Sequence, residues 1–299
     1  MIIVLAIITR KLNKKSKIKV CLCVIGKNEN LYVKEFVNYY KKIGYNNIFI
    51  YDNNEKNGEH FEEVIKGDIK TGFVKIIDFR ERNKNSRPQI DAYKECYKKN
   101  KKIYDWLSFF DIDEFLEINE KYKTIQDFLN DKIFENCQVI KINWLTYIND
   151  KNLYYENKPL QERIKTVNYN DPINQHIKST IRGNLNINYW ENAENAHTST
   201  WNFTCCGSSG NRISFDSPFN KPPDFTNAKL KHYWYKSFEE FCIKFKRGRV
   251  SIPEKNRNDY IYKEYKQIYL HNKNNKEKLK IINRIFNDSI FKLNVTKND

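Results

Sequence analysis

The sequence predicts an α/β fold built on a mainly parallel central sheet. Two observations carry this prediction. Short continuous apolar runs alternate with longer stretches whose apolar residues recur at helical spacing. Polar clusters follow several of the apolar runs directly, and such sheets bind ligands at the carboxyl ends of their strands.

The elements follow in order. Val20-Cys21-Leu22-Cys23-Val24-Ile25 is apolar without a break, as expected of a strand covered on both faces. Gly26-Lys27-Asn28-Glu29 then makes a turn. From Leu31 to Ile43 the apolar residues Leu31, Val33, Phe36, Val37, Tyr40 and Ile43 lie on one helical face, and Gly44 is placed to cap it. Asn47–Tyr51 is a second strand ending in Asp52-Asn53-Asn54, and Phe73–Asp78 is a third. Gln89–Asn100 is a second helix with Ile90, Tyr93 and Tyr97 on one side. Trp106–Phe110 is a fourth strand, running straight into Asp111-Ile112-Asp113-Glu114-Phe115. Val139–Trp144 is a further strand. Tyr169–Asp224 is rich in Asn, Ser, Thr and Pro and is expected to be loop-rich. Ser237–Arg249 returns to helix, with its basic residues at the end that the helix dipole favours. Tyr260–Leu293 reads as one or two basic amphipathic helices. The expected division is an extension at 1–17, a main domain at 18–250 and a basic helical tail at 251–299. The main domain splits into a nucleotide half at about 18–150 and an acceptor half at about 151–250.

The 299 residues include 20 Tyr, 19 Phe and 5 Trp, which excludes a disordered chain because that much aromatic surface seeks burial. The net charge of +16 points to nucleic acid, an anionic membrane or phosphate-bearing ligands without choosing among them. From Lys229 to Asp299, 18 Lys/Arg stand against 8 Asp/Glu, so most of the excess sits in the last quarter. The seven cysteines include no C-x-x-C pair, so a zinc site is not indicated. Buried, unpaired structural thiols in a reducing compartment are the expectation. The apolar start Met1–Ile8 is too short to span a bilayer and lacks the pattern of a signal peptide.

Asp111-x-Asp113 carries the most chemistry. Two carboxylates one residue apart at the end of a buried strand can hold a hard divalent cation that keeps waters and takes phosphate oxygens. Several blocks then resemble glycosyltransferase family 92 and related family-2-like enzymes, in the same order over roughly residues 18–250. They are Cys23–Glu29, Tyr51–Asn54, Gln89-x-x-Ala92-Tyr93-x-x-Cys96 and Trp106–Phe115. Asn143-Trp144, Lys178–Arg182, Ala196-His197-Thr198 and Leu230–Phe241, with Lys244 and Arg247-Gly248, follow.

The resemblance implies a GT-A fold, a Rossmann-like nucleotide-sugar domain joined to an acceptor region. It implies transfer from a nucleotide diphosphate sugar, UDP-sugar favoured, to a glycan or lipid-linked acceptor, with Mn²⁺ or Mg²⁺ and inversion at the anomeric carbon. Asp111, Asp113 and His232 are then the implied metal ligands. Lys27, Asn28, Glu29, Asp52, Asn53, Arg87, Gln89, Asp111, Lys236 and Arg247 are implied at the donor, with Lys244 able to act alike. Glu194 and Glu114 are candidate catalytic bases, and His197 a structural or acceptor-contact residue. Gly207-Ser208-Ser209-Gly210 lacks the Lys-Ser/Thr of a P-loop and is expected to be a flexible acceptor loop. The basic tail would contact an anionic membrane peripherally, and a cytoplasmic setting at the inner membrane face is expected. The competing class is a non-enzymatic protein binding single-stranded nucleic acid through Tyr260-Ile261-Tyr262-Lys263-Glu264-Tyr265-Lys266. That reading leaves the strand-end carboxylates without a purpose.

Overall fold

The structure, a computed structural model, describes residues 18–81, 87–148, 152–199, 202–213, 217–247 and 256–291. The apolar start and Gly248-Arg249 lie outside the described residues. The N-terminal half is built from β1 (Val20–Gly26), α1 (Asn30–Lys42), β2 (Asn47–Asp52), α2 (Phe61–Lys70), β3 (Val74–Asp78), α3 (Pro88–Asn100) and β4 (Trp106–Phe109). β1 pairs in parallel with β2 and β4, and β2 with β3. The parallel sheet predicted from the alternating pattern is therefore present, in the order β3-β2-β1-β4.

Beyond β4 the sheet turns mixed. β5 (Glu114–Ile118), α4 (Ile125–Leu129), β6 (Val139–Ile148), α5 (Leu160–Arg163), β7 (Thr166–Val167), β8 (Ile177–Arg182), β9 (Cys205–Cys206), β10 (Arg212–Ile213) and β11 (Ala228–His232) come next. β8 lies antiparallel between β4 and β6, which extends the path to β10-β9-β6-β8-β4-β1-β2-β3. β11 pairs in parallel with β6 and antiparallel with β5, with His232 opposite both Glu114 and Thr146. That pairing folds the segment after Asp113 back across the sheet end.

Two cores lie on the two faces of the sheet, as the unbroken run of β1 requires. Val20, Leu22 and Val24 join Tyr32, Val33, Phe36, Val37 and Tyr40 of α1 on one face. Cys21 and Cys23 join Ala92, Tyr93, Cys96 and Tyr97 of α3 on the other, with Trp190. The five buried side chains of α1 each contribute about 1.5–3 kcal/mol by leaving water. Gly44 follows α1 with φ +100°, a conformation that suits glycine. At Gly26 the constraint is space: a Cβ there would lie 2.6 Å from Ile112 Cδ1 and 2.8 Å from Phe61 Cζ.

A third apolar cluster joins α6 (Phe238–Arg247), α7 (Arg257–His271) and α8 (Lys276–Phe291) through Phe238, Phe241, Phe245, Ile261 and Ile282. The basic tail is thus two helices packed on α6. Among the described residues no helix is long and apolar enough to cross a membrane.

The cysteines depart from expectation. Cys23–Cys96 and Cys137–Cys206 are disulfides, while Cys21, Cys205 and Cys242 are free and buried. The partners are far apart in sequence and meet only because α3 packs on β1 and β9 runs beside β6. Spacing along the chain therefore gave no hint of them.

Alkylation of the unfolded, unreduced protein is expected to modify three thiols, and all seven after reduction. In the chain-entropy view loops of this size are worth about 4 kcal/mol each, so reductant should lower the melting temperature by several degrees. Seven alkylated thiols without reductant would show that the bonds do not form.

Candidate functional site

The carboxyl ends of β1, β2 and β4 meet at one edge of the sheet, and most of the sequence-predicted site residues stand there. After β1 the chain turns at Asn28, whose φ of +53° is one that Asn tolerates. The Asn28 N–H donates to Asn54 Oδ1 at 2.7 Å, tying the first turn to the second. Glu29 is buried and pairs with Arg247 of α6 at 2.6 Å. Arg247 also donates to the carbonyls of Lys27, at 2.5 Å, and Asn28, at 3.2 Å. Lys27 itself reaches out to Glu55.

Asp52 is buried at the end of β2, and both its oxygens are engaged. Oδ1 accepts from the Asn54 N–H, and Oδ2 takes two bonds from the Arg80 guanidinium. Arg80 was not singled out from sequence. Asn53 is held through its backbone N–H to Gly26 O at 2.9 Å.

Asp111 and Asp113 occupy different environments. Asp111 is about one-third exposed. Its Oδ1 accepts from Gln89 Nε2 at 2.7 Å and Tyr93 Oη at 3.2 Å, and its Oδ2 pairs with Lys178 at 2.7 Å. Asp113 is buried, with Lys244 at 2.6 Å and Lys236 at 3.8 Å from Oδ2. Burial alone would raise its carboxyl, but the charges of Lys244 and Lys236 outweigh it and hold the group well below the usual carboxylate range. Lys178, from the start of β8, is almost wholly buried. Burial would strip its proton, yet Asp111 and Glu114 raise its pKa above the ordinary lysine value. Lys178 lay inside a motif block, but its type and position gave no sign that it would point at Asp111.

His232 Nε2 stands 3.8 Å from Asp113 Oδ1, too far for a hydrogen bond. Burial pushes its pKa down to about 3, so the ring is neutral at physiological pH. Its Nδ1 is buried without a partner. The nitrogen that faces the carboxylate is Nε2, and a neutral imidazole nitrogen beside a carboxylate oxygen is a donor pair that Mn²⁺ accepts; the orphaned Nδ1 is the other ring nitrogen. No cluster of three or more His, Cys, Asp or Glu able to cage a metal occurs among the described residues. The fit is therefore to a partial shell that waters and phosphate oxygens would complete, as such ions prefer.

The two candidate bases are placed apart. Glu114 is fully buried, and its Oε2 accepts the Asp111 N–H at 2.8 Å. Burial raises its pKa well above the usual value, with Lys178 opposing. Glu194 is exposed, and its backbone carbonyl accepts from Arg87 at 2.5 Å. Arg87 stands at the N-cap position of α3 with its guanidinium turned to the Glu194 segment, while Gln89, two residues on, meets Asp111. Gly207–Gly210 is a tight turn closed on Asp224, whose Oδ2 accepts the Ser209 N–H at 2.7 Å. The tyrosines of the proposed nucleic-acid motif are partly spent inside the helical cluster: Tyr265 stacks on Phe286 at 4.1 Å and Tyr260 on Phe245 at 5.6 Å.

Comparison with known proteins gives a family for the chain. The description "Glycosyltransferase family 92" matches residues 16–267. A family 92 protein of Ricinus communis is 27% identical over 105 residues, covering 33% of this chain and 17% of the relative. One of Oryza sativa subsp. japonica is 29% identical over 115 residues, covering 36% and 18%. The chain thus aligns with about a sixth of the length of the curated relatives it matches. Among solved structures, S. aureus TarS aligns over 81% of this chain and 69% of its own, with 14% identity and a TM-score of 0.41. The mannosyltransferase PcManGT from Pyrobaculum calidifontis, in complex with GDP-Man and Mn²⁺, aligns over 44% and 36%, with 10% identity and a TM-score of 0.33. Both structural likenesses are too distant to bear on activity. With the family match running over more than half its length, the chain belongs to glycosyltransferase family 92.

Proposed function

We propose that this chain transfers a sugar from a nucleotide diphosphate sugar, with UDP as the favoured nucleotide, to a glycan or lipid-linked acceptor. The observation that carries the reading is the convergence of Asp111, Asp113 and His232 with Lys178, Lys236, Lys244 and Arg247 at the strand ends. Acidic and basic groups gathered there suit a ligand that is both anionic and metal-binding.

In this reading Asp113 and His232 hold the Mn²⁺ or Mg²⁺, with Asp111 beside them. The ion, when bound, offsets charge on the departing diphosphate. Lys244 and Arg247 are three residues apart on α6 and so share a face. Both can exchange their carboxylate or carbonyl partners for phosphate oxygens. Lys236 is buried, and its ammonium lies 4.4 Å over the Tyr32 ring. Burial and the neighbouring Lys244 ease loss of its proton, an effect an arriving diphosphate would reverse. Asn53 and Asn54 border the ribose or base, since Asp52 is already engaged with Arg80. With inversion at the anomeric carbon a base must take the acceptor proton. Glu194, exposed beside the N-terminus of α3, is the proposed base. Glu114, sealed under the Asp111 turn, is assigned the role of fixing that turn.

The cytoplasmic setting was argued from unpaired cysteines, and with two pairs bonded that argument lapses. We place the protein in an oxidising compartment, since disulfides are rare in the cytosol. Peripheral contact with anionic lipid through α7 and α8 remains part of the proposal.

Three outcomes are expected. Asp113→Asn should cut transfer by at least about 100-fold with the circular dichroism spectrum unchanged; wild-type rates in that variant would remove Asp113 from the site. Electron paramagnetic resonance should show Mn²⁺ bound by the wild-type protein and at least about tenfold more weakly by His232→Ala, and equal binding would dissociate His232 from the metal. In flotation assays the full chain should rise with vesicles containing anionic lipid and stay behind with neutral ones. Equal behaviour would end the membrane proposal.

A further inference from the structure

Beyond the end of β11 lies a cavity of about 330 Å³ that the proposed function does not use. Trp234 and Tyr235 form one corner of it, their ring centroids 5.7 Å apart and their planes crossing at 82°. Phe241 of α6 backs the corner, its ring centroid 5.0 Å from that of Tyr235 and 6.3 Å from that of Trp234. Leu153 and Ile268 add apolar wall, and Asp171 and Glu264 of α7 add two carboxylates.

The charge of this lining is the reverse of the chain's. The sequence holds 53 Lys and Arg, yet among the described residues none of them lines the cavity. His271, the one lining residue that can gain a proton to become a cation, is exposed at the end of α7. Lys263 and Lys266, which flank Glu264 on α7, lie over the rings of Tyr260 at 5.8 Å and Tyr262 at 4.6 Å. What Glu264 receives instead is neutral: the Tyr235 hydroxyl donates to its Oε1 at 2.8 Å. Burial raises the Glu264 carboxyl, and this hydrogen bond opposes the rise. A half-buried carboxylate is costly without a cation, and two aromatic faces at right angles attract one. A hard metal ion needs more oxygen ligands than this mostly apolar wall supplies. An organic ammonium uses the rings, the carboxylates and the apolar wall together.

We propose that this cavity binds a small alkylammonium group, its charge set between Glu264 and the Trp234–Tyr235 corner and its alkyl part against Leu153 and Ile268. The volume suits a ligand at the small end of the usual range. None of Asp111, Asp113 and His232 lines the cavity, so the site is separate from the candidate metal site and does not rest on the glycosyl-transfer reading. The two are neighbours all the same: the carbonyl of Trp234 accepts from Lys244 at 3.2 Å, and Lys244 pairs with Asp113.

The test is a ligand-observed NMR titration of the full chain with choline and, in parallel, with neohexyl alcohol, its neutral analogue in which carbon replaces nitrogen. Choline should bind with a Kd of about 1 mM or tighter, and the alcohol at least about tenfold more weakly. Glu264→Gln keeps an acceptor for the Tyr235 hydroxyl and removes the charge. It should weaken choline about tenfold, with a melting curve to check the fold. Should that variant fail to fold, Trp234→Leu and Trp234→Phe decide: the first should lose choline and the second keep most of the binding. No choline binding, equal binding of the alcohol, or variants that bind choline as the wild type does would overturn the site. Phosphatidylcholine vesicles added as competitor separate the sources. Displaced choline would assign the site to a lipid headgroup, and undisturbed choline to a free amine.

Discussion

A lysine with almost no contact with water can keep its charge only beside an anion, and Lys178 does so beside Asp111. The pair joins β8 to the end of β4 across the line where the sheet changes from parallel to mixed. Asp111 in turn orients Gln89 and Tyr93 of α3, and its N–H pins Glu114. Glu114 begins β5, whose pairing with β11 delivers His232 to Asp113. One ion pair thus stands at the root of the loop that carries the acidic cluster. Removing either member would leave a buried or half-buried charge without its partner.

The other half of the charge balance comes from α6, which is itself anchored by a buried ion pair. Glu240 receives both terminal nitrogens of Arg163, at 2.6 and 2.7 Å, and the hydroxyl of Tyr32 at 2.6 Å. This three-way contact fixes α6 against α1 and α5. Lys244 and Arg247, one and two turns further on, then reach Asp113 and Glu29. The apolar side of the same helix is covered by α7 and α8. The C-terminal helices therefore bear on the site through α6, although they contribute no side chain to it among the contacts described.

Much of this was legible beforehand where the signal was local. The run from Val20 to Ile25 and the helical spacing of Leu31–Ile43 gave strand and helix, and the clusters at Asn28, Asp52 and Asp111 fell at strand ends as expected. Long-range partners were not legible. Nothing in the type or spacing of Arg80, Lys178 or Arg163 says which carboxylate each will meet. The strand β5 was hidden because its first residues double as the acidic motif. The disulfides were hidden because each closes a loop of about seventy residues. Chain topology decides such contacts, and a pattern of period 2 or 3.6 does not encode it.

Gly26 shows how narrow the tolerances are. Its missing methyl group is what lets the end of β1 lie against Ile112, the residue between the two aspartates, and against Phe61 at the head of α2. The close packing between the first turn and the acidic turn therefore depends on an atom that is not there. An alanine at position 26 would touch no charged group. Its methyl would press on the tips of the Ile112 and Phe61 side chains, and those two buried groups would have to turn or shift at the join between the two turns.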